Sequence, residues 1–159
     1  MCAVKFAVCE GQGYAQYDVE ENKNSYSPEN CKIQGNFAQD FKASEKLFTL
    51  FAHGCSVNNN SRITKEDGEY KRYGEPTEAA IRVLAAKMIK DNEVNCQKKY
   101  TPLVQLDFES GRKCMSTIVS DGNNNIQFIK GAPERLLEKC TKYFDKSTNS
   151  EVSLSSQQR

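Results

Sequence analysis

Three stretches of the chain combine residue types that do chemistry with small residues that leave room for it. In Gly74-Glu75-Pro76-Thr77-Glu78-Ala79-Ala80, Glu78 is a carboxylate able to accept a hydrogen bond from an amine, if it faces a cleft. In Phe108-Glu109-Ser110-Gly111-Arg112-Lys113-Cys114-Met115-Ser116, an aromatic ring at a strand end stands beside a basic loop. Such a ring can stack on a base while a cation faces phosphate; stacking of this kind is worth roughly 1–3 kcal/mol. On an extended strand Lys113 and Met115, two apart, share a face. In Phe128-Ile129-Lys130-Gly131-Ala132-Pro133-Glu134, alternation places Lys130 on the apolar face of Ile126 and Phe128. A lysine continuing such a face suggests a pocket, and Gly131 and Ala132 let something approach the backbone closely. Each stretch also has a plainer reading. Glu78 can meet the positive end of a helix dipole, the hairpin can hold its cations in water, and Lys130 can snorkel out of a core.

Other signals are weaker. Gly11-Gln12-Gly13 hints at a phosphate loop, but Gln16 stands where the third glycine belongs, and a hairpin turn accounts for it. Asp145-Lys146-Ser147-Thr148 superficially matches the sequence around a phosphorylated aspartate; the glycine is absent, no packed environment is expected for Asp145, and a turn is the better reading. His53 and Cys55 could nominally start a metal site, but zinc takes four ligands in recognisable pairs and His53 is the sole histidine; a helix-end residue is the better reading. The seven cysteines are odd in number and widely spaced, with no CxxC, which points to reduced thiols in a cytosolic setting.

The elements that must position these residues follow from periodicity. Residues 3–9 and 14–19 read as a strand pair around the Gly11–Gly13 turn. Residues 21–40 are polar, with a turn signal at Ser27-Pro28-Glu29-Asn30. Ser44 caps a helix carrying Leu47, Phe48, Leu50 and Phe51, closed by Gly54. Asn58, Asn59, Asn60 and Ser61 mark a loop. Pro76 opens a second helix, with Ala80, Ile81, Leu84, Ala85 and Met88 inside and Arg82, Lys87 and Lys90 outside. Residues 91–100 read as a charged loop. From 102 the period becomes two: Val104, Leu106 and Phe108 alternate with Gln105 and Asp107, and strands follow through Met115–Val119 and Ile126–Lys130. Pro133 starts a third helix whose buried stripe is Leu136, Leu137 and Cys140. The last fifteen residues are polar and show no closing element. The layout predicts an α+β fold, a twisted antiparallel β-sheet flanked by helices, rather than a parallel βαβ series.

Composition narrows the class. A chain of 159 residues and 17.9 kDa is expected to be one domain, 1–159, with a polar, truncated portion from about 145. The net charge of +1 gives no reason to expect a nucleic-acid partner. Eight Phe and seven Tyr spread along the chain argue against disorder. No apolar run is long enough to cross a membrane, and the charged start does not read as a signal peptide.

Three segments in order, GEPTEAAI (74–81), FESGRKCMS (108–116) and FIKGAPERLLEKC (128–140), resemble the nucleotide-binding domain of P-type ATPases, nearest to calcium pumps of the sarco/endoplasmic reticulum type. Ser25-Tyr26-Ser27-Pro28-Glu29 and Met1 through Val8 resemble upstream parts of the same domain. The resemblance implies an ATP pocket on one side of an antiparallel sheet. Phe108 would stack on adenine, Glu78 would hydrogen-bond its edge, and Lys130 would sit beside base and sugar. Met115 would lie beside the ring, Lys113 near the phosphates, and Gly131 and Ala132 along the wall.

It also implies partners. The domain would take ATP or ADP, with Mg²⁺ in the full-length pump, and deliver the γ-phosphate to an aspartate on a separate phosphorylation domain, alongside an actuator domain. It would lie on the cytosolic face of an endoplasmic or sarcoplasmic reticulum membrane without touching that membrane. By itself the chain would be a monomer that binds nucleotide without hydrolysing it. Ser110 stands where those pumps often carry an arginine, and Cys114 where they often carry Ser. The phosphorylation loop, the magnesium-binding aspartates, the membrane helices and a further arginine after a closing helix are not in this chain. The alternatives are the same domain of a sodium/potassium or other cation pump, or a nucleotide-free interaction or thiol-sensing domain on this fold.

Overall fold

The computed structural model describes residues 1–11, 13–21, 26–29 and 31–155. Readings that fall on Gln12, Ser25, Asn30 and the last four residues lie outside the described residues.

The chain opens with β1 (Lys5–Glu10) and β2 (Gly13–Asp18), paired antiparallel with Phe6 opposite Tyr17. Their apolar side meets α1 (Phe37–Ala43) and α2 (Glu45–Val57) in a core rich in rings. Phe6 stacks on Tyr17 at 5.0 Å, and Phe37 meets Phe48 edge-on at 5.2 Å. Edge-on and offset pairs suit the ring quadrupole. Helix α1 corrects the polar reading of 21–40. Phe37 and Phe41, four apart, fall on one helical face, and both pack into this core. Ser44 precedes α2 as expected, but its hydroxyl donates to the Lys146 carbonyl at 3.0 Å rather than capping the helix. Gly54 does not end α2, which runs on to Val57. His53 lies within α2, buried, with Nδ1 2.9 Å from the Tyr100 hydroxyl, and so is not a helix-end residue.

A hairpin of β3 (Arg62–Glu66) and β4 (Glu69–Tyr73) follows, which periodicity did not reveal. Then come α3 (Pro76–Met88) and α4 (Asn92–Lys99). The segment expected as a charged loop is therefore helical. Its anchor is polar: Asn92 is buried and donates to the Ala52 carbonyl at 3.1 Å and to Ser56 Oγ at 2.8 Å. Helix α4 also explains why Arg82 is buried and not outside. Glu93 on α4 pairs with its guanidinium at 2.9 Å, while the carbonyls of Ser56 and Asn59 each accept from it at 3.2 Å.

The three-stranded sheet is β5 (Thr101–Glu109), β6 (Cys114–Ser120) and β7 (Asn125–Gly131), in that order. One face, carrying Thr117, Val119, Ile126 and Phe128, turns to the helices; Val119 packs with Cys96 and Tyr100. Behind it α5 (Pro133–Leu137) has no buried residue, and Leu137 is 41% exposed, so the stripe of Leu136, Leu137 and Cys140 does not form. The closing segment is not featureless. It makes a hairpin of β8 (Lys142–Asp145) and β9 (Ser150–Ser153). Asp145 is buried at its turn and accepts from the Gly11 amide at 2.8 Å, which pins the hairpin to the β1–β2 turn. The fold is α+β, with every described strand pair antiparallel. Among the described residues no helix is long and apolar enough to cross a membrane.

Candidate functional site

Glu78 stands in the first turn of α3, started by Pro76 at a helix position where a missing N–H costs nothing. Its carboxylate turns away from its own helix. Oε1 accepts from Lys130 Nζ at 2.5 Å, and Oε2 accepts from the Asn60 amide at 2.9 Å. Lys130 also donates to the Asn58 carbonyl at 2.5 Å. The pair is half-enclosed, with side-chain exposures of 29% for Lys130 and 16% for Glu78. Partial enclosure strengthens a charge-assisted bond while leaving both groups within reach of a ligand.

The asparagine run that leaves α2 builds the support. Asn58 donates to the Met115 carbonyl at 3.1 Å and accepts from Thr117 Oγ1 at 3.0 Å, which ties α2 to β6. Asn59 donates to the carbonyls of Cys55 and Glu78, both at 2.8 Å, which ties α2 to α3. Periodicity shows these residues only as a loop. Their signal in the sequence is three amide side chains in a row after an apolar helix. Cys55 nearby is a thiol that burial pushes up to about 12, so it is no nucleophile at neutral pH.

Met115 is opposite Lys130 on β7 and is only 1% exposed. On its other side β5 is irregular. Leu106 pairs with Ser116 and Glu109 with Cys114, so Asp107 and Phe108 together oppose the single residue Met115. This is a β-bulge, which inserts one residue and resets the alternation. Counting back from Glu109 places Phe108 on the face of Met115 and Lys130. Regular alternation groups Phe108 with Val104 and Leu106; the bulge parts it from Leu106. Phe108 is 61% exposed, the most open of the large apolar residues of this strand.

The remaining expected site residues lie at the end of β6 and β7. Lys113 has φ +51°, so it is not extended and does not share a strand face with Met115. Its amine is 3.7 Å from Glu134. Gly131 pairs with Cys114, and a Cβ there would sit 2.6 Å from the Cys114 Cβ. The room that Gly131 provides is used by the neighbouring strand. Ala132 donates its amide to the Lys113 carbonyl at 3.0 Å. The structure thus brings Glu78, Lys130 and Met115 together, with Phe108 one strand away on the same face, and sets Lys113 apart. On the reverse face a cavity of about 310 Å³ lies between the sheet and α5, lined by Leu106, Ser116, Ile129 and Arg135 among others. None of Glu78, Phe108, Met115 and Lys130 lines it. Among the described residues no cluster of His, Cys, Asp and Glu forms a metal site.

Residues 47–159 match the family described as P-type ATPase, cytoplasmic domain N. That match covers well over half of the chain, and the chain belongs to this family. Its relatives include calcium pumps. A calcium-transporting ATPase of Bacillus subtilis (strain 168) is 37% identical over 139 residues, 86% of this chain and 14% of the relative. An endoplasmic reticulum-type calcium-transporting ATPase 3 of Arabidopsis thaliana is 28% identical over 153 residues, 82% of this chain and 15% of the relative. The endoplasmic reticulum calcium ATPase srcA of Aspergillus fumigatus is 26% identical over 153 residues, 82% and 16%. The chain therefore spans 14–16% of the length of these relatives.

Proposed function

We propose that this chain is the nucleotide-binding part of a calcium-transporting P-type pump and that its slot holds ATP or ADP by the adenine. The observation that carries the reading is the row Phe108–Met115–Lys130 across three strands, closed at one end by the Glu78–Lys130 pair at 2.5 Å. The donor set fits the base. The exposed Phe108 ring offers a stacking face, and the buried Met115 backs the row between Phe108 and Lys130. Glu78 is an acceptor for the exocyclic amine, and Lys130 is a donor for the ring nitrogens or sugar oxygens. Lys113, with Gly131 and Ala132 behind it, leads toward the phosphates. The γ-phosphate would extend away to an aspartate on a separate phosphorylation domain of the parent pump. There Mg²⁺ supplies charge neutralisation in phosphoryl transfer. The role read for this chain is positioning, and nucleotide binding without turnover is the behaviour expected of it. In the parent it works on the cytosolic side of a reticulum-type membrane.

Titration of the chain with ATP, followed by amide NMR, tests this. Shifts concentrated at Glu78, Phe108, Met115 and Lys130 support the slot. A titration that leaves those four resonances unmoved overturns it.

A further inference from the structure

Asp107 is the other residue of the bulge, and its carboxylate is engaged from two sides. Asn60 Nδ2 donates to Asp107 Oδ1 at 3.0 Å, and Gln105 Nε2 donates to the same oxygen at 2.8 Å. Gln105 Nε2 also reaches Asn60 Oδ1 at 2.7 Å, which closes a triangle of three side chains. The backbone amide of Asn60 is the group that holds Glu78 Oε2 at 2.9 Å. One continuous set of hydrogen bonds therefore runs from the bulge that turns Phe108, through Asp107 and Asn60, to the carboxylate that meets Lys130. The two donations lower the Asp107 carboxyl below its ordinary range, so it stays a pure acceptor at neutral pH.

We propose that Asp107, acting through Asn60, is a positioning residue that makes the slot selective for a 6-aminopurine over a 6-oxopurine. This rests on the reading of the slot as an adenine site. Each oxygen of Glu78 already accepts one donor, Lys130 on Oε1 and Asn60 on Oε2. An ionised carboxylate has about four lone-pair sites, so acceptor capacity remains, but it has no proton to give. A 6-amino group donates to it. A 6-oxo group presents a second acceptor and is repelled. A site built to hydrogen-bond a donor rejects the analogue that lacks it. The discrimination requires Glu78 to be held in one orientation, and the Asp107–Asn60 contact holds the loop amide that fixes it. The same residue flanks Phe108, so ring and carboxylate are set from one point.

The experiment compares ATP with inosine triphosphate, by calorimetry on the whole chain, for wild type, Asp107→Ala and Asp107→Asn. It also follows the Asn60 amide resonance without nucleotide. Loss of these hydrogen bonds is expected to weaken ATP binding roughly threefold to tenfold in Asp107→Ala. The preference for ATP over inosine triphosphate should shrink with it, and the Asn60 amide should shift upfield in the free protein. Asp107→Asn keeps an oxygen for both donors and should restore all three readouts. Melting temperature is recorded for each variant, and an Asp107→Ala chain that unfolds is replaced by Asn60→Ala, which breaks the same link. An Asp107→Ala chain with wild-type amide shift, affinity and preference overturns the inference. So does an Asp107→Asn loss as large as that of Asp107→Ala. If Phe108→Ala loses ATP while Asp107→Ala does not, the slot stands and the relay falls. If the wild type binds no ATP, both fall.

Discussion

Lys130 on β7 and Glu78 on α3 meet at 2.5 Å across 52 residues of sequence. The contact joins the end of the three-stranded sheet to the first turn of a helix. It does so beside a loop whose carbonyl and amide groups bind both partners.

That contact makes Lys130 a chemical probe of the slot. ATP is expected to protect Lys130 selectively from an amine-reactive label, read by peptide mass spectrometry. Protection at a different lysine, with Lys130 labelled equally with and without ATP, contradicts the assignment.

Phe108 is 61% exposed and packs little in the free chain. Phe108→Ala should therefore leave the melting temperature nearly unchanged. It should weaken ATP binding by about 1–3 kcal/mol, the usual worth of one aromatic stacking partner. Calorimetry measures both nucleotide affinity and any change in fold stability.

Gly131 faces Cys114 so closely that a Cβ would sit 2.6 Å from its Cβ and 2.8 Å from its Cα. Gly131→Ala must push β6 and β7 apart, an overpacking cost of about 1–3 kcal/mol. Urea unfolding should show that loss. A midpoint equal to wild type would mean that the strand ends separate freely.

Asn58 is buried and bonds Met115 and Thr117 with both ends of its amide. Asn58→Ala strands the Met115 carbonyl and the Thr117 hydroxyl. About 1–3 kcal/mol per unsatisfied buried group should be lost. It should also loosen the Lys130 carbonyl anchor, so ATP affinity should fall together with the urea midpoint. Asn58→Asp keeps the acceptor for Thr117 but sets a buried carboxylate oxygen against the Met115 carbonyl, and should lose at least as much as Asn58→Ala.

His53 is buried against Tyr100, and burial, with Lys99 adding to it, pulls its pKa below the ordinary 6.5. The unfolded chain therefore binds this proton more readily than the folded one. Its contribution is complete above pH 6.5 and is lost as pH falls from 6.5 toward the depressed folded value. Urea midpoints measured between pH 8 and pH 5 should decline over that window, and His53→Gln should flatten the decline. Asp40 and Asp145, both lowered in the folded chain, lose their contributions only at lower pH, as the carboxylates protonate.

By sequence alone, the strands and helices with strong periodicity were fixed: β1, β2, α2, α3 and the β5–β6–β7 meander. So was the placement of Lys130 on the face of Phe128, because alternation along one regular strand is a local property. Glu78 was legible as the first turn of a helix because Pro76 marks that start. Elements held by polar anchors were not legible. Helix α4 depends on buried Asn92, and the β8–β9 hairpin on Asp145 and Lys146; a polar run gives no periodic signal when its burial is decided by partners far along the chain. The face that Phe108 takes was decided by the tertiary structure alone. A bulge is a mismatch in count between two strands, and neither strand carries that number by itself. The meeting of Glu78 with Lys130 has the same origin. Each residue's type was visible, but the charge partner of a side chain is set by the packing of a helix against a sheet end, which local propensity does not specify.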